Sequence, residues 1–117
     1  MSQIAIINGG AVKDVAGFRA LADQAIAVVE AELPGTVLYE CYVDPESSRF
    51  VWHELYADSD AILAHAQRLM AGGLPQQLPQ VADFDFAVAL GDPSPEAREL
   101  LGQMGFQVLP MHAKASR

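Results

Sequence analysis

Between Thr36 and His65 this chain concentrates the side chains that could do chemistry: Tyr39, Tyr42, Phe50, Trp52, Glu54, Tyr56 and His65. A histidine with the ordinary imidazole pKa of about 6.5 suits a general base at neutral pH. A carboxyl group inside an aromatic strand has to be paired or hydrogen-bonded. Together they suggest proton transfer beside an aromatic wall, with His65 as base or proton shuttle and Glu54 orienting it. Each has a plainer reading beside this one. A lone inward histidine can be a satisfied core residue, and Glu54 can simply anchor His65 or a tyrosine. Asn8, next to a diglycine, is either a ligand for a substrate oxygen or an ordinary turn residue. Phe50, Trp52, Tyr39, Tyr42 and Tyr56 could wall a flat pocket, or pack as core.

Other chemistries find less support. His53 falls on the opposite strand face from Trp52 and Glu54, and His112 sits in the C-terminal tail. Three histidines this dispersed, with scattered carboxylates, give no metal-ligand spacing, so no metal is expected. Dinucleotide and Walker glycine patterns are both missing, so no nucleotide cofactor is expected. Ser47, Ser48, Ser59, Ser94 and Ser116 lie in turn, cap or tail contexts without a nucleophile elbow.

The elements that must position these groups follow from periodicity and punctuation. Gln3 to Ile7 reads as a strand ended by a turn at Asn8-Gly9-Gly10. Val15, Phe18, Ala22, Ala25, Val29 and Leu33 form one helical stripe between Lys13 and Leu33, which Pro34-Gly35 terminates. A hairpin follows, Thr36 to Val43 and Phe50 to Tyr56, in which Phe50, Trp52, Glu54 and Tyr56 share one face. Asp58 or Ser59 caps a helix to Met70 whose inner stripe is Ile62, His65, Ala66 and Leu69. A proline-rich connector, a strand from Phe84 to Leu90, a helix opened by Ser94-Pro95 and a short edge strand at 106–109 complete the chain. The order is β-α-β-β-α-β with a C-terminal helix, an α+β, ferredoxin-like arrangement on an antiparallel sheet.

Composition sets the outer bounds. The 117 residues make one domain, read as a core at 3–92, an extension at 93–109 and a tail at 110–117 expected to be mobile. At 51% hydrophobic and 19% charged, without a membrane-length apolar run, the chain reads as soluble. The net charge of −8 argues against nucleic acid and anionic membrane as partners. A single cysteine, Cys41, and an N-terminus without signal-peptide features fit a reducing cytoplasm. Helices on one side of the sheet leave an apolar or aromatic face uncovered, so a homodimer packed sheet to sheet is expected.

The segment L-Y-E-C-Y at 38–42, followed by R-F-V-W-H-E-L-Y-A-D-S-D-A-I-L-A-H at 49–65, resembles the antibiotic biosynthesis monooxygenase (ABM) domain. Glu54, Tyr56, Asp58-Ser59 and His65 fill its recurring places, and Tyr39-Glu40 matches the preceding strand. The resemblance implies a dimeric α+β barrel, and it spans several activities, so fold alone does not select among them. One is cofactor-independent oxygenation of aromatic quinols and polycyclic phenols, with molecular oxygen as co-substrate. A second is haem degradation, in which an asparagine near the place of Asn8 takes part. A third branch processes a small signalling sugar derivative. Outside enzymology, the same barrel could serve as a dimeric small-molecule-binding protein. The first is the leading expectation, because a deprotonated electron-rich phenol can itself reduce oxygen if the protein supplies a dry pocket, a base and a grip on the oxyanion.

Overall fold

Short polar side chains set the helix starts. Asp14 accepts from the Gly17 amide, Asp58 from the Ala61 amide at 2.9 Å, and Ser94 from the Ala97 amide with Pro95 at the first helical position. In the computed structural model, which describes residues 3–116, these caps separate ten elements. They are β1 (Ile4–Val12), α1 (Val15–Glu32), β2 (Thr36–Asp44), β3 (Arg49–Tyr56), α2 (Ser59–Ala71), a one-turn α3 (Leu74–Gln77) leading into a 3-10 turn (Leu78–Gln80), β4 (Ala82–Leu90), α4 (Pro95–Gln103) and β5 (Gln107–Leu109). No helix among the described residues is long and apolar enough to cross a membrane.

The sheet order is β2-β3-β1-β4-β5. Its first four strands pair antiparallel, in the ferredoxin-like order expected. β5 pairs parallel to β4, because a helix, α4, carries the chain back to the same end before the strand begins. The sheet is therefore mixed rather than wholly antiparallel, and in the single chain it is open rather than a closed barrel.

The largest departure from the sequence reading is at Asn8-Gly9-Gly10, which is not a turn. β1 continues through it to Val12, paired on both sides. The glycines are there for close approach. A Cβ on Gly9 would lie 2.3 Å from the Phe50 carbonyl oxygen, and one on Gly10 would lie 1.9 Å from that of Asp83. The register against β4 slips between these two residues, a bulge that only such bare backbone accommodates. Asn8 is consequently a mid-strand residue. The proline-rich connector also has structure of its own, as α3 and the 3-10 turn, and β4 begins two residues earlier than Phe84.

The helices cover one face of the sheet, where two core clusters form. Phe18, Phe50, Trp52 and Ala25 anchor one, and Ile4, Tyr56, Ile62 and Leu101 the other. Phe18 and Phe50 pack with ring centroids 4.7 Å apart. On the opposite face, Tyr42, Phe86 and Leu90 are exposed, alongside Glu40 and His53 paired at 3.3 Å.

Candidate functional site

A cavity of about 400 Å³ lies between the sheet and the helices, lined by members of both core clusters, among them Trp52 and Leu74 from one and Ile6, Tyr56 and Ile62 from the other. That volume is in the range of small-molecule sites, about 300–1,000 Å³. The space exists because alanines stand where larger side chains would fill it: Ala66 on α2, and Ala82 and Ala87 on β4, all line it. Strand parity then supplies the chemistry. Trp52, Glu54 and Tyr56 point to this side of β3, Tyr39 sits opposite Glu54 on β2, and Asn8 sits opposite Trp52 on β1.

Six of the eight residues singled out as site candidates thus converge on the cavity: Asn8, Tyr39, Trp52, Glu54, Tyr56 and His65. Phe50 does not. It is sealed in the core between Phe18 and Phe84, because its end of β3 lies under α1. His53 is on the far face with Glu40, as its parity requires, and the exposed Tyr42 donates to the same carboxylate at 2.7 Å.

The internal wiring differs from a histidine oriented by a glutamate. The Tyr56 hydroxyl donates to Glu54 Oε1 at 2.5 Å. His65 Nδ1 is held by Thr36 Oγ1 at 3.1 Å, and no hydrogen bond joins His65 to Glu54 among the described residues. Tyr39 and Tyr56 stand edge to face against the imidazole, at centroid distances of 4.9 and 5.1 Å, and Tyr39 stacks on Trp52 at 4.8 Å. Glu54 therefore anchors a tyrosine. Thr36 was not singled out in the sequence. It lies 29 positions from His65, and only the packing of α2 on the hairpin brings the two together.

Burial also redistributes the proton affinities. Desolvation pushes the Glu54 carboxyl up from 4.5 to about 7, with the Tyr56 hydrogen bond opposing the shift. Desolvation pulls His65 down from 6.5 to about 4. Both tyrosine hydroxyls are held protonated, by burial first and by the Glu54 charge second. The group whose pKa lies near neutrality is thus Glu54, and His65 is held as a neutral imidazole, the form a base requires, though a weaker base than an ordinary histidine. In an NMR titration the His65 ring signals should move with a midpoint near pH 4. A midpoint near 6.5 would show that water solvates the ring and that the assignment is mistaken.

Asn8 completes the site. Its side chain is buried, and Oδ1 has no hydrogen-bond partner. A buried acceptor left unsatisfied costs about 1–3 kcal/mol. A ligand hydroxyl donated into the cavity would remove that cost. Among the described residues no three histidine, cysteine, aspartate or glutamate side chains converge to hold a metal ion.

The sequence matches no protein-family model and no curated protein. Solved structures do match the fold. MupZ from Pseudomonas fluorescens superposes with a TM-score of 0.80 at 16% identity, over 100% of this chain and 96% of that one, so α4 and β5 are included. SnoaB, a cofactor-independent oxygenase from Streptomyces nogalater, gives 0.66 at 14% identity, over 80% and 96% of the two chains. A Caulobacter crescentus protein provisionally named as an antibiotic biosynthesis monooxygenase gives 0.63 at 21%, over 74% and 84%. At these identities the shared property is the fold, a ferredoxin-like α+β architecture.

Proposed function

We propose that this chain belongs with the antibiotic biosynthesis monooxygenases whose fold it shares, and that it oxygenates an aromatic quinol or polycyclic phenol without a bound cofactor. The observation that carries the reading is the coincidence, in one apolar cavity, of a carboxyl with a pKa of about 7, a neutral imidazole and an unsatisfied amide oxygen. The SnoaB likeness supports it at the level of fold.

In this mechanism the substrate hydroxyl gives its proton to Glu54, which is far more basic than His65. Tyr56 holds the carboxylate in place, and Asn8 Oδ1 accepts from a second hydroxyl. When Thr36 donates to His65 Nδ1, Nε2 carries the ring proton and can steady the phenolate oxygen. The phenolate transfers electron density to molecular oxygen, and a C–O bond forms at a hydrogen-bearing ring carbon ortho or para to the phenolate oxygen. Glu54 returns its proton to the peroxide. Loss of the ring C–H proton with cleavage of the O–O bond then yields the quinone and water. One oxygen atom of O2 ends in the product and the other in water.

We further propose that the uncovered sheet face, with Tyr42, Phe86 and Leu90, is closed by a second copy to make a homodimer, and that the protein works in the reducing cytoplasm. The half-buried Cys41 thiol, pushed up to about 11 by burial, would be inert there.

The test is oxygen uptake by the metal-free protein against a panel of hydroquinones and polycyclic phenols, with His65→Ala alongside. Uptake above autoxidation, with quinone formed in equal amount and reduced about tenfold or more in the variant, is the expected result. Tight binding without product would instead favour a small-molecule-binding protein.

A further inference from the structure

The polar groups of the cavity and its exposed edge belong to different parts of the wall. α2 and α4 start side by side, where the Ser94 amide donates to Ser59 Oγ at 2.8 Å. Met70 lies in the last turn of α2 and Met104 caps the end of α4, and these two side chains, with Phe84 of β4, line the cavity while remaining 53%, 51% and 44% exposed. Asn8, Glu54 and His65 are each less than one-tenth exposed. From them to the rim the wall is almost wholly apolar. The exception, Asp83, is engaged by Lys13 at 3.6 Å. A small quinol seated on the deep groups would leave this apolar rim wet, and nothing there could hold a second hydrophilic end. Unbranched thioethers at such a rim adapt to a flexible apolar chain.

We propose, resting on the reading that an aromatic hydroxyl binds at Glu54, that the substrate is an amphiphile. Its oxygenated ring lies on Glu54, His65 and Asn8, and a single neutral hydrocarbon tail leaves between Met70, Met104 and Phe84.

The test uses 4-alkylphenols from methyl to heptyl, bound under nitrogen and followed by fluorescence of Trp52, the chain's one tryptophan, which forms part of the wall. Affinity should rise roughly fourfold per added methylene over the first several carbons and then level off as the tail passes the rim. The double variant Met70→Ser, Met104→Ser, altered at half-exposed positions, should flatten the dependence for the longer members. A series without chain-length dependence overturns the inference, and is the result if the C-terminal residues or a second copy cover the opening. A dependence identical in the double variant reports unspecific partitioning and overturns it equally. Chain-length dependence without oxygen uptake would keep the amphiphile and remove the oxygenase, and uptake without it would do the reverse.

Discussion

Glu54→Gln is expected to lower turnover by about 10²–10⁴-fold, the usual contribution of a positioned general base, and to change how stability depends on pH. Glutamine keeps an oxygen to accept from Tyr56 and nearly the same shape, so the cavity survives. What it loses is the ability to take a proton. The stability effect follows from linkage. The folded-state pKa, about 7, is above the ordinary 4.5, so the folded protein binds this proton more tightly than the unfolded chain does. The associated stability is fully present below about pH 4.5 and lost as pH rises through about 7. The shift of about 2.5 units corresponds to roughly 3 kcal/mol at about 1.36 kcal/mol per unit. His65 acts in the other direction, since its lowered pKa makes stability fall as pH drops from 6.5 through about 4. Between about pH 4.5 and 6.5 the two effects oppose each other and nearly cancel, so wild-type stability should be almost flat there. The variant, left with the His65 effect alone, should gain stability as pH rises from about 5 to 6.5. Urea titrations from pH 5 to 8, with oxygen uptake in parallel, check both parts. Wild-type turnover in the variant, or a variant stability that follows the same pH profile as the wild type, would remove Glu54 from its role.

Gly10→Ala should destabilise the fold by about 3 kcal/mol or more, or prevent folding outright. The added methyl would sit 1.9 Å from the Asp83 carbonyl oxygen and 2.8 Å from the Phe84 Cα, and neither atom belongs to a side chain that could rotate aside. Relief requires β4 to move away from β1 at the bulge. That movement would also shift Ala82 and Phe84, both in the cavity wall. Gly102→Ala provides the contrast. This glycine lies within α4 with nothing within 4 Å of the would-be Cβ, so the change should stabilise by about 0.5–1 kcal/mol. Equal effects in the two variants, measured by urea unfolding, would mean that the close β1–β4 approach is not what Gly10 serves.

The contrast between these glycines and the rest of the chain marks where the sequence could be read. Period-two alternation put Trp52, Glu54 and Tyr56 on one face and His53 on the other, and the structure agrees. The stripe through Ile62 and His65 and the caps at Asp58 and Ser94 were equally legible, because each depends on residues a few positions apart. Gly9-Gly10 misled because glycine serves a turn and a tight interstrand approach alike, and only the neighbouring strands distinguish them. The cavity was also hidden, since an alanine at an inward position signals helix or strand but not the space it leaves, as at Ala66 and Ala87.

Spacing along the chain thus selected the residues that face inward, since local backbone geometry repeats over two residues in a strand and 3.6 in a helix. It could not assign their roles. Thr36 meets His65 only when α2 packs on the hairpin, Asn8 loses its partners only inside the paired sheet, and the pKa nearest neutrality passes from histidine to glutamate only once both are stripped of water. Desolvation depends on everything packed around a group, and that surrounding is assembled from segments far apart in sequence.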